Sequence, residues 1–170
     1  MKTVALLALA VVALVALPVM ADDTLVRFKG GIGVHPVSNV AGTANTDGTF
    51  PNVTRNVVRG VNPAGQLWMI ADLRADVKVD GRIQVDGRGL LLAGGNTIGT
   101  NAGASVFATL LCGNTPHNSS PAGVPLEANG DFRIDDVLSP VPPDPCVSPV
   151  LLVRNAANLG WFAAGIVKLD

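Results

Sequence analysis

Leu67-Trp-Met-Ile-Ala-Asp-Leu-Arg-Ala-Asp-Val-Lys-Val79, followed by Asp80-Gly81 and Arg82-Ile-Gln-Val-Asp86, is the stretch whose reading decides the fold. From Leu67 to Val79 every odd position is apolar. From Asp72 to Asp80 every even position is charged. That period of two marks a strand with one buried face. Trp68 and Ile70 make its beginning apolar on both faces, as in a stretch covered from both sides. A two-residue loop at Asp80-Gly81 would set Val79 opposite Arg82 and mix the faces. A three-residue loop, Val79-Asp80-Gly81, sets Val77 opposite Ile83 and Ala75 opposite Val85. A slip of one residue inverts every side chain, so the longer loop is the consistent one, with Gly81 in the left-handed position. The same logic at Ala128-Asn129-Gly130 predicts Leu126 opposite Phe132 and Val124 opposite Ile134.

Working outward, strands are expected at Leu25–Val34, Asn56–Val61, Gly89–Ala93, Ala104–Cys112, Pro149–Arg154 and Gly160–Leu169. Val150-Leu151-Leu152-Val153 is continuously apolar, as a central strand would be. Gly, Asn, Pro and Asp clusters at Ser38–Asn52, Gly94–Gly103, Gly113–Gly123 and Ser139–Pro145 read as loops. No long segment after the N-terminal apolar run holds a helical period. Eight or nine short strands with turn punctuation predict an all-β fold, an antiparallel β-sandwich, immunoglobulin-like or related.

The first 21 residues have a different character. Lys2 precedes the apolar run Val4–Leu17, and Val19-Met20-Ala21 places small residues at the −3 and −1 positions of a cleavage site. This predicts a secretory signal peptide, residues 1–21, cut before Asp22 and leaving 22–170 as a single domain. The run of 14 residues before Pro18 is short for a membrane span, so membrane contact is expected only through an uncleaved leader. Export permits oxidation, and the two cysteines then predict one disulfide, Cys112–Cys146, closing 34 positions. Loop-closure entropy assigns such a bridge roughly 4 kcal/mol. Without Lys2, eleven basic residues face thirteen acidic ones, a net charge of −2. The basic residues are scattered, which excludes a nucleic-acid surface.

The chemistry-bearing residues form no catalytic, cofactor or metal constellation. Gly94–Gly103 lacks the Gly-Lys-Ser/Thr ending of a phosphate loop and precedes a strand rather than a helix. His35 and His117 are the only histidines, and a structural metal wants about four ligands. Asp72, Asp76 and Asp80 line a solvent face. Asp131, Asp135, Asp136 and Asp144 are the acidic residues that could gather around calcium near the disulfide. Gly103-Ala-Ser105-Val-Phe107 misses the last glycine of a nucleophile elbow. His117-Asn-Ser-Ser120 has no orienting acid beside it. Trp68, Trp161 and Phe162 read as core rather than as a sugar platform.

Four segments, Gly87-Arg-Gly-Leu-Leu-Leu-Ala-Gly-Gly95, Phe107-Ala-Thr-Leu-Leu-Cys112, Gly130-Asp-Phe-Arg-Ile-Asp-Asp136 and Trp161-Phe-Ala-Ala-Gly165, resemble parts of small exported bacterial β-rich proteins that carry no assigned function. The resemblance implies a bacterial exported β-domain and supplies neither an activity nor site residues.

The expectation for function is a secreted or periplasmic, non-catalytic structural or interaction module. It would act through loops or a sheet edge, with Leu25–Val34 and Gly160–Leu169 as the edge candidates. Its partner would be an unknown protein or a second copy joined by strand pairing. The alternative is a carbohydrate- or calcium-binding domain using Ser38–Asn52 and Gly94–Gly103. A hydrolase is third, with no site identifiable in sequence. No cofactor is expected.

Overall fold

A computed structural model describes residues 23–169; the expected leader, 1–21, lies outside them. The described chain is all-β, with thirteen strands and no helix. Among the described residues, therefore, no helix is long and apolar enough to cross a membrane. Nine strands share one antiparallel sheet. One wall of it is β1 (Thr24–Gly33), β5 (Asp72–Lys78), β6 (Arg82–Arg88) and β11 (Phe132–Val137). The other is β8 (Ser105–Cys112), β12 (Val150–Asn155) and β13 (Trp161–Val167). Two short strands, β9 (Thr115–Asn118) and β10 (Val124–Pro125), both pair with β8. The order is β10-β8-β12-β13-β1-β5-β6-β11. Beyond β11, Ser139 exchanges backbone hydrogen bonds with Asn118 at the end of β9, at 2.8 and 3.0 Å. That single bridge brings the two ends of the sheet together into a nearly barrel-like body.

The pleat explains the core. On β5 and β6, Leu73, Ala75, Val77, Ile83 and Val85 are buried and their neighbours face solvent. The register pairs Val77 with Ile83 and Ala75 with Val85, as the three-residue loop requires. Gly81 has φ +89°, and its N–H donates to Lys78 O at 3.0 Å. β12 lies between β8 and β13, so Leu151, Leu152 and Val153 are all buried, as their continuous apolarity predicted. Cys112 and Cys146 form the expected disulfide, with Cα atoms 4.9 Å apart. It ties the end of β8 to the loop entering β12.

Several expectations need correction, among them the loop at Gly113–Gly123, which contains β9. The stretch Leu67–Val79 is two strands, not one. β4 (Trp68–Met69) pairs with β7 (Leu91–Leu92), and the chain breaks at Ile70-Ala71 before β5. The break inverts the alternation: Trp68 is buried whereas Met69 is 49% exposed. At Ala128-Asn129-Gly130 the turn forms, with Glu127 N donating to Asp131 O at 2.9 Å, but its arms part. Phe132 pairs with Gly87 on β6, while Leu126 N donates to Ala104 O. The loop spans the two ends of the sheet and does not close a hairpin. Asn56–Val61 is not a strand. Arg59 and Gly60 have φ +47° and +84°, folding Val58 back onto Val61, the geometry of a two-residue reverse turn. Finally, β1 lies between β13 and β5, and β13 between β12 and β1, so neither edge candidate is an edge.

Candidate functional site

Open edges are found on a separate two-stranded ribbon. Among the described residues β2 (Val37–Ala41) and β3 (Asn52–Arg55) pair only with each other, in the register Val37 with Arg55, Val40 with Val53 and Ala41 with Asn52. All nine strand residues are exposed. Val37, Val40, Phe50 and Val53 are each more than 40% exposed. The ionic groups from Val37 to Arg55 are Asp47 and Arg55 alone.

Local chemistry explains why this loop-like sequence makes a hairpin. At the tip Asn45 N donates to Thr49 O (2.7 Å), and Gly48 N to Asn45 O (2.9 Å). Asp47 Oδ1 accepts from both the Thr49 amide (2.9 Å) and its hydroxyl (2.6 Å). The hydroxyl bond is the main cause holding the Asp47 carboxyl below the usual range. The root is fastened to the body. Asn56 donates through its backbone N–H to Pro36 O and through Nδ2 to His35 O, both at 3.0 Å. Arg55 Nη2 donates to Pro63 O at 2.9 Å, and Trp161 Nε1 to Asn56 O at 3.0 Å. The result is a nearly uncharged arm on a fastened base that exposes four large apolar side chains among polar ones, with no further strand on either outer edge among the described residues. Such an edge is a template for another strand. Sequence reasoning read Ser38–Asn52 as a loop. The signal available was Val40 facing Val53 across a Gly-, Thr- and Asn-rich centre.

The other candidates are not brought together. His35 is exposed beside the arm root, whereas His117 is buried on β9 with Nδ1 2.7 Å from Pro140 O. Asp131 accepts from Gly89 N and Asn129 Nδ2, Asp135 from Gln84 Nε2, and Asp136 from Ser120 N. Each of these three carboxylates thus has its own partners, and Asp144 is exposed. Among the described residues no group of three or more His, Cys, Asp or Glu could hold a metal ion. Trp68, Trp161 and Phe162 are buried, and Trp68 stacks on Phe162 with ring centroids 3.9 Å apart. Gly94–Gly103 forms a compact loop between β7 and β8, closed by Leu92 N to Thr100 O at 2.9 Å.

The outer face of β1, β5, β6 and β11 is ionic. Arg27 meets Asp76 at 2.9 Å, Arg133 meets Asp86 at 3.1 Å, and Asp23 bridges Lys78 and Arg82 at 2.9 and 3.1 Å. The Val77–Ile83 register brings the like charges Lys78 and Arg82 across from each other, and Asp23 relieves that contact. No family model matches the chain, and comparison with curated proteins and with solved structures returned no significant similarity.

Proposed function

We propose that this protein is a non-catalytic extracytoplasmic module, exported by its leader, that engages a protein partner or a second copy by strand pairing along the β2–β3 arm. The observation that carries the reading is the arm itself: nine exposed strand residues, two open edges and the exposed side chains of Val37, Val40, Phe50 and Val53 on a fastened root. Exposed apolar surface on an unprotected edge is disfavoured in a free monomer, and a partner strand removes both liabilities. The Cys112–Cys146 disulfide supports an oxidising compartment.

The test is to excise the arm. Val37 and Arg55 already face each other, so replacing Ser38–Thr54 by Asn-Gly closes the root with a two-residue turn. The trimmed protein is expected to keep its thermal midpoint while losing the crosslinked assemblies that the intact protein forms in its native envelope or medium. Identical assemblies from the two proteins would sink the reading.

Carbohydrate or calcium binding is the second reading, and one observation favours a ligand near its loops. A groove of about 490 Å³ runs between the arm root and the Gly94 loop, bordered by His35, Pro36, Val37, Leu67 and Gly94. A thermal-shift comparison with calcium and with glycans separates this reading from the first, because a ligand of the folded state raises the midpoint.

A further inference from the structure

A second concavity, remote in sequence from the arm, lies where the two ends of the main sheet meet. It is a cleft of about 520 Å³, walled by Phe107 of β8, Ser120 and Pro121 after β9, Val137 of β11, and Arg154 and Leu159. Arg154 is held as a fixed fork. Its Nε donates to Leu159 O at 2.9 Å, its Nη1 reaches Thr109 Oγ1 at 3.3 Å, and its guanidinium lies 5.1 Å from the Phe107 ring centroid. Thr109 is itself buried and donates to Asn118 Oδ1 at 2.7 Å. Among the described residues Arg154 forms no ion pair, unlike Arg27, Arg74, Arg82 and Arg133 on the opposite wall. The carboxylate that shares the cleft, Asp136, accepts from the backbone amides of Ser120 and Val137, both at 2.7 Å.

The N–H donors that Arg154 leaves unused are open to the cleft, where a bound anion can reach them. Burial pulls the Arg154 pKa below its ordinary value, yet arginine stays charged. The arrangement also carries backbone strain. Leu159 has φ +62°, a region that a branched side chain rarely enters, and in that conformation its carbonyl meets Arg154. The tight turn between β12 and β13 imposes that conformation, with Leu159 N donating to Asn155 O at 2.9 Å and Asn155 N to Gly160 O at 2.8 Å, and it thereby fixes the carbonyl that holds Arg154.

We propose that this seam cleft binds a small organic monocarboxylate, with the carboxylate on the Arg154 guanidinium and an apolar tail against Pro121, Val137 and Leu159. A planar carboxylate matches the arginine fork, and the apolar lining selects a hydrocarbon body over an inorganic ion.

Titration of isotope-labelled protein with sodium hexanoate, followed by amide NMR shifts, tests it. Hexanol and sodium phosphate serve as controls. Saturable shifts are expected at Ser119, Ser120, Val137, Arg154 and Leu159, with either control binding at least about tenfold more weakly. Arg154→Gln is expected to weaken hexanoate by a similar factor while the spectrum stays dispersed. If that variant fails to fold, Val137→Asp places a negative charge at the exposed rim and must weaken hexanoate as well. The proposal is overturned if hexanol matches hexanoate, if phosphate matches it, if the shifts map elsewhere, or if no shift saturates.

Discussion

The two walls of the main sheet share one pleat and use opposite materials. Strands β1, β5, β6 and β11 carry Arg27, Lys29, Asp72, Arg74, Asp76, Lys78, Arg82, Asp86, Arg88, Arg133, Asp135 and Asp136. Strands β8, β12 and β13 carry Arg154 alone. On β6 burial alternates strictly, whereas on β8 every residue from Val106 to Cys112 is buried. The difference is one of coverage. Pro63 bridges to Trp161, and Arg59 donates to the carbonyls of Leu111 and Gly113, so the chain between Asn56 and Ala64 lies over the apolar wall. Stability should therefore reside mainly in the wall buried on both faces, and solubility in the wall buried on one.

The largest effect is expected inside the apolar wall. Leu152 is fully buried at the centre of β12, so Leu152→Ala should lower unfolding free energy by about 2–5 kcal/mol. Denaturant unfolding measures it. A loss no greater than that of Asp86→Ala, on the ionic face, would erase the distinction between the walls. Next comes the disulfide, which belongs to the same wall. Cys112→Ser with Cys146→Ser opens a 34-residue loop and should cost about 2–4 kcal/mol, read as a fall in thermal midpoint.

On the ionic wall the sensitive position is a glycine. An added Cβ at Gly87 would lie 2.1 Å from the Phe132 ring, its partner on β11. Gly87→Ala should therefore cost about 1–3 kcal/mol by overpacking. An unchanged midpoint would mean that β6 and β11 yield where β8 and β12 do not. The exposed ion pairs rank lower. Arg133→Ala removes the contact with Asp86 and should cost less than about 1 kcal/mol, fading as salt is added. A larger, salt-insensitive loss would show that the outer face carries structural weight.

Legibility in sequence follows the same division. Where one face is wet, the period of two is visible: Leu73, Ala75, Val77, Ile83 and Val85 and the loop register could be read directly. The continuous run Val150–Val153 placed β12 centrally, as found. What escaped reading depends on contacts distant in sequence. The turn at Gly130 looks like a hairpin because its flanks alternate, but each arm finds a better ladder elsewhere, β11 on β6 and Leu126 on Ala104. β1 and β13 look like edges because they are the first and last strands expected, yet they pair with each other. The arm was hidden by composition, since Gly, Thr and Asn between Ala41 and Asn52 mask a strand on each side. The Arg154 cleft has no local signature at all, because its parts come from β8, β9, β11 and β12 and meet only when the sheet curls.

The smallest expected effect concerns pH, and it should touch only the ionic wall. The hydrogen bond from Lys78 holds the Asp23 carboxyl below its ordinary value, and the Arg82 backbone amide and side chain do the same for Asp80. A carboxylate depressed on folding stabilises fully above its unfolded pKa, and that contribution is lost as pH falls through the folded value. Lys78 is raised, first by its hydrogen bond to Asp23, so its share is complete below the unfolded lysine pKa and is lost as pH rises through the folded one. Between roughly pH 5 and pH 9 these groups should contribute a constant amount. Comparing thermal midpoints of the native protein and Asp23→Asn across this range should give a constant gap that closes below about pH 4. In Leu152→Ala the gap to the native protein should not close there, because nothing titratable was removed from the apolar wall. A gap for Asp23→Asn that widens as the solution is acidified would mean that Asp23 is not the carboxylate holding the Lys78–Arg82 corner.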